Sequence, residues 1–554
     1  MSAAVWVEAS GWQREAELRS ARYDVTPVLA MLLSTIPRSE EETSAFLAPE
    51  TLDWPDPFRL PFAAEAADRI AQALQRGETI LVHGDYDVDG LMGTAILLGG
   101  LRAWGGKVEA FVPSRFEGGY GLSEASLEAV RRAKAGLVLT TDCGINAQEI
   151  GKLLEKEGVD LIVTDHHLPA SGEQPPGIIV NPKTIGGHPD RELCGAAVAL
   201  QVLRAVAATV GRPLPLEPFL RLVAIATVAD VVPMTPVNRK LCKAGFAALE
   251  NTPNPGLGLL LEEIRRTGPI RGHHISYNLA PRFNAAGRME DARLVLDLLL
   301  ERDPAEASRL KARIETLNVQ RKALQLAAFD EALEQARLAP PESRVIFTAS
   351  SSWHKGVIGP VAARLAETFR KSAFVVCVEG EVGVGSGRAW RKDNVSGLLG
   401  EVSDLLVRFG GHSGAAGFSV LTDRIPELAR RLCALPESST EVGHHETYYP
   451  IEPSQLGEAW HAWGVLDPFG PGNPEPYLGL AGLCAKGQKT LSGGHLSWDV
   501  GISPTQNVQF IAWNGESAGL VPASLAPSRT VIGRPAPQQR PGSPPFYFSV
   551  AAIL

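Results

Sequence analysis

Short apolar runs, each breaking into a polar loop, recur from Glu78 onward, and they restrict this chain to few folds. The runs stand in ETILVHGDYDVDG, GLVLTTDCGI, DLIVTDHHLP and GIIVNPK. They are too short for helices and too continuously apolar for strands with one wet face, so they predict parallel strands covered on both sides. SEASLEAVRRAKA and NAQEIGKLLEKEG supply crossover helices. The economical fold is α/β, with a doubly wound parallel sheet. Ligands of such sheets bind beyond the carboxyl ends of the strands, where this chain places Asp and His residues.

His83, Asp85, Asp87 and Asp89 alternate in HGDYDVDG, directly after the run ILV. Carboxylates that close repel one another and call for a cation. Hard oxygen donors with imidazole and no thiolate point to Mn²⁺ or Mg²⁺ rather than structural zinc. Asp142 closes the next run, Asp165-His166-His167 the one after, and Asp230 follows the apolar helix RLVAIATVAD, so separate segments can converge on one crevice. Such a set can hold two divalent metal ions. At a separation of about 3.5–4 Å, two ions activate a water and steady the attacking and leaving oxygens of an in-line phosphoryl displacement. A single Asp after a strand is ordinarily a turn or cap residue, and the pair His273-His274 reads as two polar side chains facing water. The whole set has no packing role, because buried alternating carboxylates are costly unless compensated.

Candidate phosphate-binding residues lie elsewhere. PSRFEGGYGLS carries Arg115 in a Gly-rich loop after the strand-like VEAFVP. PRFNAAGRMEDA places Arg282 and Arg288 around Asn284, two cations and an amide able to face one polyanion. GVGSGR and FGGHSGAAG read as Gly-rich loops whose backbone N–H groups can cradle a phosphate, with Ser386, Arg388 and His412 as side-chain donors.

Beyond Asp291 a long helical stretch brings Leu310, Ile314, Leu317, Leu324 and Ala328 toward one face. Pro340-Pro341 breaks it, and RVIFTAS and AFVVCVEGE open a second, smaller α/β segment. From about residue 445 the chain is rich in Gly and Pro, with strand-like runs such as NVQFIAW and FYFSVAAIL, which suits a small β-barrel; VIGRPAPQQRPGSPP reads as a loop between its last strands. The expected division is an N-terminal segment at 1–48, a first α/β domain at 49–300, a helical connector at 301–339, the smaller α/β domain at 340–436 and the barrel at 445–554. Lys plus Arg number 53 against 62 Asp plus Glu, a net charge of -9, so a polyanionic partner needs a local positive field. The cysteines at 143, 194, 242, 377, 433 and 484 form no CxxC pair and read as reduced. No run approaches the roughly 20 apolar residues of a membrane span, and the first residues lack a signal peptide's apolar stretch, so a cytoplasmic location without a membrane partner is expected.

HGDYDVDG, TDCGI, VTDHH and ATVADVVP resemble the four ordered motifs of the DHH phosphoesterases, with the DHH triplet at residues 165–167. The resemblance implies that His83, Asp87 and Asp142 serve one metal and Asp89, Asp142, His166 and Asp230 the other, with Asp142 as the bridge. Asp85, Asp165 and His167 match the pattern too, in roles that orient ligands or face the phosphate. GVGSGR and FGGHSGAAG look like the DHHA1 domain. PRFNAAGRMEDA, SSWHKGVIGPVAARL and DPFGPGNPEP resemble the RecJ family, whose C-terminal barrel is an OB-fold. Trp498, Phe510, Trp513 and Lys489 read equally as barrel core and rim or as contacts to a strand. The resemblance implies a metal-dependent 5′-3′ exonuclease that degrades single-stranded DNA to 5′-mononucleotides in repair and recombination, with Arg115, Ser386 and Arg388 holding the 5′ end. A helicase and a single-strand-binding protein are candidate partners. Two rivals share the motifs: a nanoRNase or cyclic-dinucleotide phosphodiesterase, and a non-catalytic replication scaffold.

Overall fold

The computed structural model describes residues 5–36, 38–114, 121–169, 174–184, 188–265, 268–436, 445–483, 485–491, 494–503, 506–513, 529–537 and 545–554. They form two compact units, one of Met1–Pro281, Val295–Lys311 and Gly443–Leu554, the other of Arg282–Leu294 and Ala312–Val442.

In the first unit the apolar runs become the parallel strands Thr79–Gly84, Leu137–Thr141, Asp160–Thr164 and Ile178–Val180, joined by Lys107–Phe111. Both faces are covered, as continuous apolarity requires. One face packs Leu81, Val138 and Val163 against Leu127, Val130 and Leu154 of the helices Glu124–Ala133 and Gln148–Lys156. Counted along the chain, the spatial order of the strands is 2-1-3-4-5. The order reverses between Thr79–Gly84 and Leu137–Thr141, and the loops leaving those two strands diverge to opposite faces and open a crevice.

The same unit contains an eight-stranded sheet in which Val5–Glu8 pairs in parallel with His445–Pro450. Its core joins Met31, Leu32, Leu33 and Phe46 to Trp463, Trp498, Phe510 and Phe548. The N-terminal residues, uninformative in sequence, are therefore built into the C-terminal β region. Trp498 and Phe510 are core, whereas Trp513 and Lys489 are exposed. The run VIGRPAP is not loop: it is the strand Val531–Pro537, antiparallel to Phe546–Ile553. Gly533 marks an irregularity where the strand passes Ser549 too closely for any side chain. His273-His274 also departs from its surface reading, since His274 is buried with its Nδ1 accepting from the Arg271 N–H at 3.0 Å.

The second unit holds a sheet ordered Leu406–Gly411, Ala415–Leu421, Val382–Arg388, Ala373–Glu379, Ile346–Ser350. GVGSGR is thus a central strand, hydrogen-bonded to neighbours on both edges, and FGGHSGAAG is a hairpin turning at His412 to Gly414. The glycines are there for packing. A Cβ on Gly385 would fall inside the Phe418 ring, and one on Gly387 would meet the Phe374 ring at 2.7 Å. The connector is one helix, Pro304–Arg337; Leu310, Ile314, Leu317 and Ala328 are buried as expected, but Leu324 is exposed. Among the described residues no helix is long and apolar enough to cross a membrane.

Arg239 clamps the first unit together. It is buried, lies over the Phe46 ring at 3.7 Å, and donates to the carbonyls of Phe46 at 3.0 Å, Leu466 and Asp467 at 2.9 Å each, and Val465. Burial lowers its pKa to about 10, which still leaves it cationic at neutral pH. Arg239→Ala is expected to lower stability by about 3 kcal/mol or more in urea unfolding, because each buried carbonyl left without a donor costs about 1–3 kcal/mol. A change below about 0.5 kcal/mol, the range of an ordinary surface substitution, would show that the clamp is not needed.

Candidate metal centre

Asp142 leaves the carboxyl end of Leu137–Thr141 in a left-handed conformation, φ 62. Its N–H donates to the Thr164 carbonyl at 3.0 Å, while the Thr164 hydroxyl donates to the Thr140 carbonyl and the Thr140 hydroxyl to the Cys143 carbonyl, both at 2.7 Å. Non-glycine residues adopt this backbone only when the surroundings impose it. Here the turn aims the carboxyl into the crevice.

The other donors arrive from the neighbouring loops. Asp87 caps the helix Val88–Ala103, accepting from the Gly90 N–H at 3.1 Å, and places Asp89 in its first turn. Asp89 is held by the N-terminus of the helix Gly195–Val210: the N–H groups of Gly195 and Ala196 donate to its two oxygens at 2.6 and 2.7 Å. Asp165 accepts from the N–H groups of His166, His167 and Ile145 at 2.7, 3.1 and 3.0 Å and from His167 Nδ1 at 2.8 Å, so it orients both histidines. Asp230 ends the helix Glu217–Ala229.

Three overlapping groups result, each with ligand atoms within 4.8 Å of one another: Asp89, His166 and Asp230; Asp142, His166 and His167; and Asp85, Asp87 and Asp142. His166 Nε2 lies 3.1 Å from Asp142 Oδ1, 3.6 Å from Asp230 Oδ2 and 3.7 Å from Asp89 Oδ2. Neither of its ring nitrogens has a hydrogen-bond partner among the described residues. Burial, then the charge of His167, lowers its pKa to about 3, so the ring is neutral with a lone pair to offer. Burial, then Asp89, Asp87, Asp230 and Asp85, raises the Asp142 carboxyl well above its usual range. Burial, then Asp89 and Asp87, raises Asp230 to about 9, and burial with Asp87 raises Asp89 to about 6. A neutral imidazole among carboxyls that repel one another's ionised forms is a donor set that fits divalent cations. Burial opposes a charge on His167, but Asp165, backed by Asp89 and Asp87, raises its pKa. Burial likewise works against ionised Asp165, and the hydrogen bond and charge of His167 hold its pKa below the usual value.

His83 is the member of the expected set that the structure keeps out of these groups. Its ring is buried, with Nε2 2.9 Å from Ser126 Oγ and Nδ1 3.6 Å from Cys143 Sγ, and burial lowers its pKa to about 4. Asp85 joins Asp87 and Asp142 in its place. Three supports were missed in sequence: Gly195 with Ala196, whose small side chains let the helix approach; Asn181, whose Nδ2 donates to the His167 carbonyl at 2.9 Å; and Lys183, whose charge is felt at His166 and Asp230. Only the small-residue run after Cys194 was a visible signal.

The expected phosphate-binding residues are not gathered as the sequence reading had them. Arg115 lies outside the described residues. Arg282 Nε donates to Glu315 at 2.7 Å and Arg288 to the Gly356 carbonyl at 3.4 Å; both stand on the helix Ala280–Met289, where six residues turn them about 120° apart, so Arg282 is turned away from the half-buried Asn284 and Arg288, which four residues place on one face. In the second unit the N–H groups of Val382–Arg388 are committed to the sheet and cannot cradle an anion, but Arg388 donates to Ser386 Oγ at 2.9 Å. That pair faces the start of the helix Ile358–Phe369, where a Cβ on Gly359 would meet the Arg388 guanidinium at 3.0 Å. His412 stands exposed at the hairpin turn.

A family model described as the DHH family, N-terminal domain, matches residues 79–227, and one described as the DHHA1 domain matches residues 342–435. The single-stranded-DNA-specific exonuclease RecJ of Thermus thermophilus is 37% identical over 463 residues, 83% of this chain and 66% of that protein. The protein of that name from Bacillus subtilis is 34% identical over 471 residues, 82% of this chain and 58% of that protein. The chain therefore spans less than two thirds of either relative. The crystal structure of RecJ in complex with Mn²⁺ from Thermus thermophilus matches with a TM-score of 0.82 at 30% identity, over 99% of this chain and 79% of that one.

Raised carboxyl pKa values make the metal-free fold lose stability as pH rises, from near 4, the unfolded value, through about 6 for Asp89 and about 9 for Asp230. Up to near 6.5, the unfolded value of histidine, the lowered pKa values of His83 and His166 act in the opposite sense, so in chelator the thermal midpoint is expected to fall between about pH 7 and pH 9, and Asp142→Asn to raise the midpoint and flatten that slope. Saturating Mn²⁺ should stabilise the unchanged protein, by about 2.7 kcal/mol at one hundred times Kd, and leave Asp142→Asn unmoved. An equal Mn²⁺ shift in both proteins would remove Asp142 from the metal site.

Proposed function

The chain belongs to the RecJ family of DHH phosphoesterases, and we propose that it is a metal-dependent 5′-3′ exonuclease hydrolysing single-stranded DNA to 5′-mononucleotides in DNA repair and recombination. The observation that carries this reading is the double cluster sharing Asp142 at the strand-order reversal. Asp89, His166, Asp142 and Asp230 would hold one ion, and Asp85, Asp87 and Asp142 the other, with Mn²⁺ or Mg²⁺ as the cations hard oxygen ligands prefer. When bound, the pair of ions neutralises phosphate charge and activates a water.

The protein's own groups do the rest. Asp165 and the helix N-terminus at Gly195 hold the donors in place, so that little reorganisation accompanies reaction. His167, kept prone to protonation by Asp165 and 29% exposed, faces the opening and donates to a phosphate oxygen. His83, with Ser126 and Cys143, braces the strand end behind Asp85. Ser386 and Arg388 hold a 5′ phosphate. Arg115, Arg282, Asn284, Arg288 and His412 remain candidates for the strand's other phosphates, the first on sequence alone. A cytoplasmic location, and cooperation with a helicase and a single-strand-binding protein, follow from this activity.

The test is digestion of a 3′-labelled, 5′-phosphorylated single strand with Mn²⁺, beside a blunt duplex and a dinucleotide. Shortening of the single strand alone from its 5′ end is expected. Cleavage of only the dinucleotide would favour the nanoRNase, and no cleavage the scaffold. Asp142→Ala should abolish hydrolysis while retaining DNA binding. Arg388→Ala should erase about 10- to 100-fold of any preference for a 5′ phosphate over a 5′ hydroxyl, the range of a charge-assisted hydrogen bond.

A further inference from the structure

Val231 directly follows Asp230 and closes the helix Glu217–Ala229 in a left-handed conformation, φ 57, with 61% of its surface exposed. Left-handed backbone crowds the Cβ of any L residue, and a β-branched one is an outlier there. The position after a helix is for that reason commonly glycine. Here the isopropyl group meets that crowding and is then displayed to solvent rather than buried. Conformations of this kind cluster at active sites and ligand clamps.

A second exposed apolar residue adjoins another member of the cluster. Leu168, 54% exposed, directly follows His167, whose carbonyl is fixed by Asn181 Nδ2 at 2.9 Å. Singly, an exposed leucine means little. These two residues, however, are the chain neighbours of His167 and Asp230, which at 29% and 27% side-chain exposure are, with the half-buried Asp87, members of the cluster that reach solvent. Across the opening His166 Nε2 and Asp230 Oδ2 are 3.6 Å apart, so the two segments meet at the cluster.

We propose that Val231 and Leu168 form an apolar lip on which the nucleobase beside the scissile phosphate packs. Rigid aliphatic side chains contact the face of any base, and leucine and isoleucine are used in that way where proteins separate stacked bases. A lip of this kind positions the terminal nucleotide without reading its identity. The two are positioning residues: neither offers an atom to the phosphate or to a cation.

This inference rests on the exonuclease reading, and its test separates the two. Val231→Gly, Leu168→Ala and the unchanged protein are compared on a natural strand and on one whose two 5′-terminal nucleotides lack bases. The unchanged protein should lose about fivefold in kcat/KM on the abasic strand, the low end for one base contact. Each variant should lose a similar factor on the natural strand and nothing further on the abasic one. Calorimetric Mn²⁺ affinity should stay the same, and the thermal midpoint of Val231→Gly should not fall, since glycine relieves the backbone. Equal losses on both strands, or weakened Mn²⁺ binding, would overturn the lip. If the unchanged protein cuts neither strand, the exonuclease reading fails. Fluorescence anisotropy in chelator then judges the lip alone: tighter binding of the natural strand by the unchanged protein, and not by the variants, supports it, and equal binding of both strands refutes it.

Discussion

Carboxyl groups from Asp85, Asp87, Asp89, Asp142 and Asp230 come together in overlapping groups whose ligand atoms lie within 4.8 Å of one another, and the site is arranged around their repulsion. The fold satisfies some and leaves others. Asp165 receives three backbone N–H groups and a histidine, so it stays ionised and acts as a support. Asp89 receives two N–H groups from a helix N-terminus, which partly offset its burial. Asp142, at the centre, is pushed by burial and four neighbouring acids toward the protonated form. That gradation separates residues that hold the site from residues that need a cation. It also explains why the turn at Asp142 must be so thoroughly braced, since a carboxyl repelled by its neighbours would otherwise swing out to water.

The parallel sheet was legible because strands covered on both faces must be continuously apolar, a pattern few other elements produce. The cluster of acids was legible as a candidate site because buried, alternating acids have no use in packing. What escaped depended on partners far away in sequence. Alternation puts His83 and Asp85 on one side of an extended chain, but the strand ends at Gly84, and which of them turns to the cluster is decided by Ser126 and Cys143, from other segments. Glycine suits both a loop and a strand under bulky rings, so GVGSGR cannot announce that Phe374 and Phe418 lie over it. Val5–Glu8 finds its strand partner at His445–Pro450, and Tyr448 Oη donates to Glu8 at 3.1 Å, a pairing no local pattern can reveal. Leu324 shows the reverse error: it falls at the expected helical spacing, yet is exposed on the connector while Leu317 and Ala328 are buried.

The proposed function asks a chain of net charge -9 to handle a polyanion, which requires a positive field built locally. Of the arginines singled out in sequence, Arg282 contributes less to that field than its charge implies, because it is paired with Glu315, whereas Arg288 donates to a neutral carbonyl and keeps its charge. At the cluster the protein's own charge has the wrong sign, since ionised acids there repel a phosphate. His167 and Lys183 are cationic or cation-prone groups beside it, and they are too few to reverse the balance. Two divalent cations bring about as much positive charge as the cluster has acids, in a crevice where screening by water is weak. The acidity that makes the site repulsive alone is therefore what would let it concentrate enough cation to attract a phosphate, and under the proposed function capture of the scissile group would be tied to metal occupancy by electrostatics, before any question of chemistry arises.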